Sequence, residues 1–241
     1  MKPIILIPAR LQSVRLPQKM LADIHGKPLI QYVVEAALAS NIGPVYVASA
    51  EPEIKDVVES IGGKAVLTDP NHPSGSDRIF EALQKVDPDK NFDVVINLQG
   101  DLPTVKPDIF KTLLMPFEQN PTFDISTVGF EMHDPEEINN QNIVKIVFGG
   151  TPPIGQGLYF TRGVPYGEGA FYHHVGIYAY RRQALERFVK LPPSTLEKRE
   201  RLEQLRALEN GMTIGVAIAD EGPLGVDTPA DLERVRAILK G

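Results

Sequence analysis

The sequence predicts an α/β protein with a mostly parallel sheet, and three observations carry that prediction. Short, mostly apolar runs at Ile4 to Ile7, Val45 to Ala48 and Val94 to Leu98 have strand length and little alternation, as strands buried on both faces do. Stretches of helical period lie between them. Turn residues such as Gly43-Pro44 punctuate the alternation. Strands alternating with helices imply right-handed crossovers, with helices on both faces of the sheet.

Ile4-Ile5-Leu6-Ile7 reads as the first buried strand. Beyond Gly26-Lys27-Pro28, Leu29, Ile30, Val33, Val34, Ala37 and Leu38 recur with a helical period, and Val45-Tyr46-Val47-Ala48 follows as the next strand. Ile54, Val57, Val58 and Ile61 mark a second helix, Ala65-Val66-Leu67 a strand, and Ile79, Phe80, Leu83 and Val86 a third helix. Val94 to Leu98 is the clearest buried strand. From about residue 121 the rhythm loosens, and Pro121, Gly129, Pro135 and Gly149 to Pro153 separate shorter pieces such as Asn142 to Phe148. That stretch, about 121–190, reads as an antiparallel elaboration within a single domain spanning 1–241. His174 to Tyr180 reads as a strand, and Ser194 to Asn210 as one charged helix opened by a capping serine with Glu197 three residues on. Thr213 to Ala219 returns as a strand. Asp227-Thr228-Pro229 begins the last helix, with Leu232, Val235 and Leu239 on its buried side.

At 241 residues, with 42% hydrophobic and 23% charged residues, the chain can bury a full core. A net charge of −6 offers no electrostatic footprint for nucleic acid. Apolar runs fall short of the roughly 18 residues that span a bilayer, and the six-residue run ending at Pro8 is too short for a secretory core. The expectation is a cytoplasmic protein with neither membrane nor nucleic-acid partners. Zero cysteines exclude disulfides, thiolate catalysis and sulfur-ligated metals, so any metal should be a hard, oxygen-bound ion.

Four constellations could carry chemistry. In IPARLQSVRLPQK, Arg10, Arg15 and Lys19 share one loop after the first strand, where open α/β sheets bind ligands. Three cations so close repel one another unless an anion joins them, and a polyphosphate matches their donors. No G-x-G-x-x-G is present, so a dinucleotide fingerprint is not supported. Gln99-Gly100-Asp101 follows a buried strand, and Asp101 reads either as a turn former or as a ligand of a divalent cation. Asp227 reads as the N-cap of the last helix; if it also faces Asp101, the two carboxylates need a cation between them, which predicts magnesium. Pro73-Ser74-Gly75-Ser76-Asp77-Arg78 opens a helix, read either as ordinary capping by Ser76 or as recognition of a base or ribose.

In order and spacing these tracts, with Leu158 to Arg162, HHVGIYAY, LEQLR and GVDTPADLERV, closely resemble the 3-deoxy-manno-octulosonate (KDO) cytidylyltransferases nearly end to end. The resemblance implies a Rossmann-like nucleotidyltransferase fold and a homodimer formed through the inserted antiparallel part. It also implies magnesium-dependent transfer of CMP from CTP to KDO, releasing pyrophosphate and serving lipopolysaccharide biosynthesis. By matching positions, Arg10, Arg15 and Lys19 are implied as the triphosphate clamp, Ser74 and Arg78 as part of the cytidine pocket, and Asp101 and Asp227 as the magnesium ligands. For the acid sugar the similar positions are Gln99, Arg162, His174, Tyr178, Glu203 and Gln204; without the resemblance, His174 reads as a core histidine and Glu203 and Gln204 as a solvated helix face. Three positions depart from the family pattern: Ala50 replaces an Asp, Leu102 a Glu, and Gln18 a Gly. Leu102 makes a variant acid sugar, 8-amino-KDO or sialic acid, the alternative substrate.

Overall fold

The computed structural model describes residues 1–13 and 15–239. These fall into two compact units, Met1–Asp108 with Pro223–Gly241, and Ile109–Gly222. The sequence reading counts one domain with an elaboration at about 121–190, a stretch that lies inside the second unit.

In the first unit, β1 (Pro3–Ala9) runs parallel to β4 (Val45–Ser49) on one side and to β6 (Val94–Asn97) on the other. Strand β5 (Ala65–Leu67) adds beyond β4, again parallel, giving the order β5-β4-β1-β6. Ile4 to Ile7 and Val94 to Ile96 are fully buried, as unbroken apolar runs require. Chain order reverses around β1, so the carboxyl ends of β1 and β6 flank the place where such sheets hold ligands. A hairpin of β2 (Asp23–Ile24) and β3 (Lys27–Pro28) turns at His25 and Gly26, both at positive φ, as a tight two-residue hairpin turn demands. Helices α1 (Leu29–Ala39), α2 (Pro52–Ser60) and α3 (Gly75–Val86) are the crossovers, and α9 (Pro229–Ile238) closes the unit. On α1, Leu29, Ile30, Val33, Val34 and Ala37 are buried, the stripe read from the sequence.

In the second unit, β7 (Ile125–Met132), β8 (Lys145–Thr151), β9 (Ile154–Thr161), β10 (Phe171–Arg181) and β11 (Ile214–Ala219) take the order β10-β7-β11-β9-β8. All these pairings are antiparallel except β11 on β7, and β10 also pairs β8 at Tyr172 and His173. Helix α4 (Ile109–Gln119), absent from the sequence reading, contributes Phe110, Leu113 and Phe117 to the core. The remaining helices are α5 (Pro135–Asn139), α6 (Arg182–Phe188), α7 (Thr195–Glu200) and α8 (Gln204–Glu209). The single helix expected over Ser194 to Asn210 is therefore two. Ser194 caps the first in a reciprocal box with Glu197, but Arg201 turns left-handed at φ 57 and ends it.

Candidate functional site

The first-loop cations are placed by backbone bonds around their loop. Leu11 N donates to the Glu51 carboxylate at 3.0 Å, and Gln18 N donates to Leu11 O at 3.2 Å, which folds the loop back on itself. A 3-10 turn at Lys19–Leu21 then carries Lys19 inward, leaving its side chain 8% exposed. Its ammonium donates to Asp101 Oδ2 at 2.7 Å and to Asp227 Oδ1 at 3.2 Å. Arg15 Nη2 reaches the other Asp227 oxygen at 3.0 Å in an exposed pair.

Asp101 stands one residue beyond Gly100, which allows the chain to pass close to β1: a Cβ there would lie 3.1 Å from Pro8 O and from Met20 Sδ. The segment after it holds Asp227 in place from far along the chain. Val226 N donates to Asp101 O at 2.9 Å, and Leu224 N donates to Thr104 Oγ1 at 2.7 Å. Asp227 is not the N-cap expected for α9. Thr228 is the cap, in a reciprocal box with Asp231, because Pro229 takes the first helical position and Asp231 the third. The Asp227 carboxylate is thereby left for Lys19 and Arg15.

The same displacement occurs at α3, where the cap is Ser74 and not Ser76. Ser74 Oγ accepts from Asp77 N at 3.2 Å and donates to Asp77 Oδ2 at 2.7 Å, while Ser76 is buried inside the first turn. Arg78 is buried and gathers the loop that precedes the helix, donating to Thr68 Oγ1 at 2.7 Å and to Asp69 O at 3.1 Å. Burial lowers its pKa from the usual value; Glu51 works in the opposite direction. Gln99 Nε2 donates to Asn97 Oδ1 at 3.2 Å.

Arg10, Arg15, Lys19, Ser74, Arg78, Gln99, Asp101 and Asp227 all line one cavity of about 690 Å³ in the first unit. The sequence motifs thus converge from four separated segments. His72 also lines the cavity, and its Nε2 pairs with the Glu81 carboxylate on α3. The sequence reading assigned His72 no role, although it immediately precedes Pro73 and the helix-opening turn.

Two carboxylates meeting on a single ammonium fit a divalent cation. Both are hard oxygen donors, and a cationic group already lies between them. Among the described residues no cluster of three acidic, histidine or cysteine side chains forms a cage. Two carboxylates, completed by phosphate oxygens and water, would be a donor set that suits magnesium.

The other implied sugar residues belong to the second unit. Arg162 Nε donates to Glu200 O at 3.1 Å, and its Nη1 lies 3.4 Å from both Gln141 O and Asn142 O. His174 is buried, with Nε2 3.0 Å from Thr127 Oγ1 and its ring against Phe160 and Tyr178. Burial, with a smaller contribution from His173, lowers its pKa to about 3 and keeps the ring neutral. A register shift in β10 between Val175 and Tyr178 brings those two rings together, and Thr127 Oγ1 spans it by donating to Ile177 O at 2.7 Å. Burial raises the Tyr178 phenol well above its usual pKa. Gln204 is buried with its Nε2 unbonded among the described residues, so it is not on a solvated face. Glu203 is half-buried, 3.6 Å from Arg206 Nη2.

The profile of the cytidylyltransferase family matches residues 4–214. A 3-deoxy-manno-octulosonate cytidylyltransferase of Paramagnetospirillum magneticum is 55% identical over 241 residues, covering 99% of this chain and 98% of that one. The protein of the same description from Brucella suis is 56% identical, covering 98% of this chain and 95% of the relative. The chain belongs to the 3-deoxy-manno-octulosonate cytidylyltransferase family. A solved structure of CMP:2-keto-3-deoxy-manno-octonic acid synthetase complexed with CTP superposes with a TM-score of 0.91 at 40% identity, over 99% of this chain and 98% of that one.

The departures of this cytidylyltransferase from its family pattern have local consequences. Gln18 sits at φ 56, the left-handed region where glycine is at ease, so the side chain strains a position that glycine would relax. Ala50 carries no carboxylate, but Glu51 beside it supplies one to Leu11 N. Leu102 is buried and faces Gly225, where a Cβ would meet its Cδ2 at 3.5 Å. It is a packing residue of the loop that carries Asp101.

Proposed function

We propose that this enzyme transfers CMP from CTP to the 2-hydroxyl of KDO, with magnesium held by Asp101 and Asp227, the triphosphate held by Arg10, Arg15 and Lys19, and the sugar carboxylate held by Arg162. The observation that carries the reading is the meeting of Asp101 and Asp227 at Lys19 in a cavity lined by both loop arginines. A charge-rich site of this kind suits in-line phosphoryl chemistry, where positioning and neutralisation supply most of the acceleration.

Arg15 and Lys19 face the anionic leaving group and stabilise charge as it moves onto pyrophosphate; such a contact is commonly worth about 3 kcal/mol. Arg10 and Lys19 orient the triphosphate so that the α-phosphorus stands open to attack. When bound, magnesium supplies positive charge at the α-phosphate and lowers the pKa of the attacking hydroxyl. The backbone bonds from Val226 and Leu224 hold Asp227 beside Asp101. Ser74 and Arg78 shape the nucleoside end less by free donors than by fixing the backbone around it, since both side chains already bond within the protein. Gln99, His174, Tyr178, Glu203 and Gln204 complete the proposed sugar contacts.

Homodimerisation through the antiparallel part at about 121–190 and residence in the cytoplasm belong to the same proposal. Among the described residues no helix is long and apolar enough to cross a membrane. Incubation with CTP, magnesium and KDO should yield CMP-KDO by mass together with pyrophosphate, and ATP, GTP and UTP should yield little. Equal or better turnover with 8-amino-KDO or sialic acid would replace the sugar assignment, and no pyrophosphate from any of the three would remove the proposed activity. A light-scattering mass of one chain would remove the dimer.

A further inference from the structure

Lys145 is the first residue of β8 and its side chain is wholly buried, a costly place for an ammonium. Its three N–H groups have three acceptors: Asn140 O at 2.6 Å, Ile143 O at 2.9 Å and Arg162 O at 3.2 Å. None is a carboxylate. The lysine therefore does not neutralise an acid; it draws together the 140–143 turn and the end of β9. Arg162 meets the same turn, because its Nη1 faces Gln141 O and Asn142 O there while its Nε donates to Glu200 O. Each cation thus holds carbonyls of the turn, and Lys145 also holds the carbonyl of Arg162 itself. Nε and Nη1 of Arg162 are engaged in this frame, whereas Nη2 makes no hydrogen bond among the described residues.

We propose that Lys145 is a positioning residue for substrate binding: by gathering the carbonyls of Asn140, Ile143 and Arg162, it aims the Arg162 guanidinium at the carboxylate of the acid sugar. The inference rests on the reading of Arg162 as the partner of that carboxylate. A charge-assisted hydrogen bond from Nη2 depends on the orientation of the planar guanidinium, so an arginine with its backbone and turn loosened loses affinity without losing charge. A neutral lysine would keep fewer donors for three carbonyls, and burial, followed by the nearby Arg162, does lower its pKa.

The test is a double-mutant cycle on Lys145→Met and Arg162→Ala, with KM for KDO and for CTP measured separately and folding followed by thermal melting. Methionine matches the stem of lysine but leaves three carbonyls without their donor, so a loss of stability accompanies the loss of the buried charge. The expected result is that Lys145→Met folds with a lowered Tm, raises the KDO KM about tenfold or more, leaves the CTP KM unchanged, and adds little to Arg162→Ala in the KDO KM. A KDO KM unchanged in Lys145→Met while Arg162→Ala raises it would overturn the positioning role alone. An unchanged KDO KM in Arg162→Ala would instead remove the sugar role of Arg162, and the proposal with it. Failure of both Lys145→Met and Lys145→Gln to fold would mark a purely structural lysine and overturn it as well.

Discussion

Replacing Lys19 by methionine separates the neutralising role of the ammonium from its packing. The Lys19 side chain is 8% exposed and bonds Asp101 at 2.7 Å, itself 29% exposed; the contact to Asp227 is longer, at 3.2 Å, and that carboxylate is 54% exposed. Breaking a fully buried pair costs about 3–5 kcal/mol, and an exposed one about 0–1 kcal/mol. Asp101 lies between these limits and Asp227 near the lower one, so the expected loss is about 2 kcal/mol. For a chain of this size 1 kcal/mol moves Tm by about 2–4 °C, which predicts a fall of about 4–8 °C in metal-free buffer at low salt. Millimolar magnesium should then raise the Tm of Lys19→Met more than that of the wild type, because a divalent ion can take the ammonium's place between the carboxylates. Thermal melting with and without magnesium checks both halves. A variant that melts with the wild type, and gains no more from the metal, would refute the reasoning.

Asp227→Asn should keep the fold and lose magnesium-dependent turnover by about a hundredfold or more, whereas Thr228→Ala should lose about 1 kcal/mol of stability as a cap; wild-type turnover in the first, or equal melting losses in the two, would contradict the separation of ligand and cap. Arg162→Ala should raise the KM for KDO far more than that for CTP, and equal rises would contradict separate cations for the two anionic substrates. Gln18→Gly should stabilise by about 0.5–1 kcal/mol, the relief of the left-handed residue less the greater chain entropy of glycine, measured by urea unfolding; a loss of stability would show that the side chain compensates. Burial holds the His174 imidazole at about 3 against 6.5 in the open chain, so the unfolded state takes the proton first. Stability is full above pH 6.5 and falls as the pH drops towards 3, by about 2 kcal/mol at pH 5; His174→Gln should flatten that slope, and an unchanged slope would refute the assignment.

The first unit was legible because its signals are local. Buried parallel strands must be apolar on both faces, so Ile4 to Ile7 and Val94 to Leu98 could be read without knowing their neighbours. The second unit hid its order for the opposite reason. Its strands pair mostly across long separations, as with β11 between β7 and β9, and α4 carries Pro116 within its span, which speaks against a helix when read alone. The break at Arg201 was equally hidden, since a left-handed arginine has no sequence signature comparable to glycine.

At the site, residue type was readable and side-chain partnership was not. Asp227 looked like a cap because aspartate before Thr-Pro satisfies capping rules, but Asp231 gives Thr228 a reciprocal box that a lone aspartate cannot match, and the helix takes the better pair. That competition releases Asp227 towards Lys19. Ser74 shows the converse: it lines the same cavity, and its hydroxyl caps the first turn of α3. The local rule that places a cap therefore decides which polar groups remain for a ligand. A cluster of chemical residues in the sequence becomes a site only after the helices have claimed the caps they need.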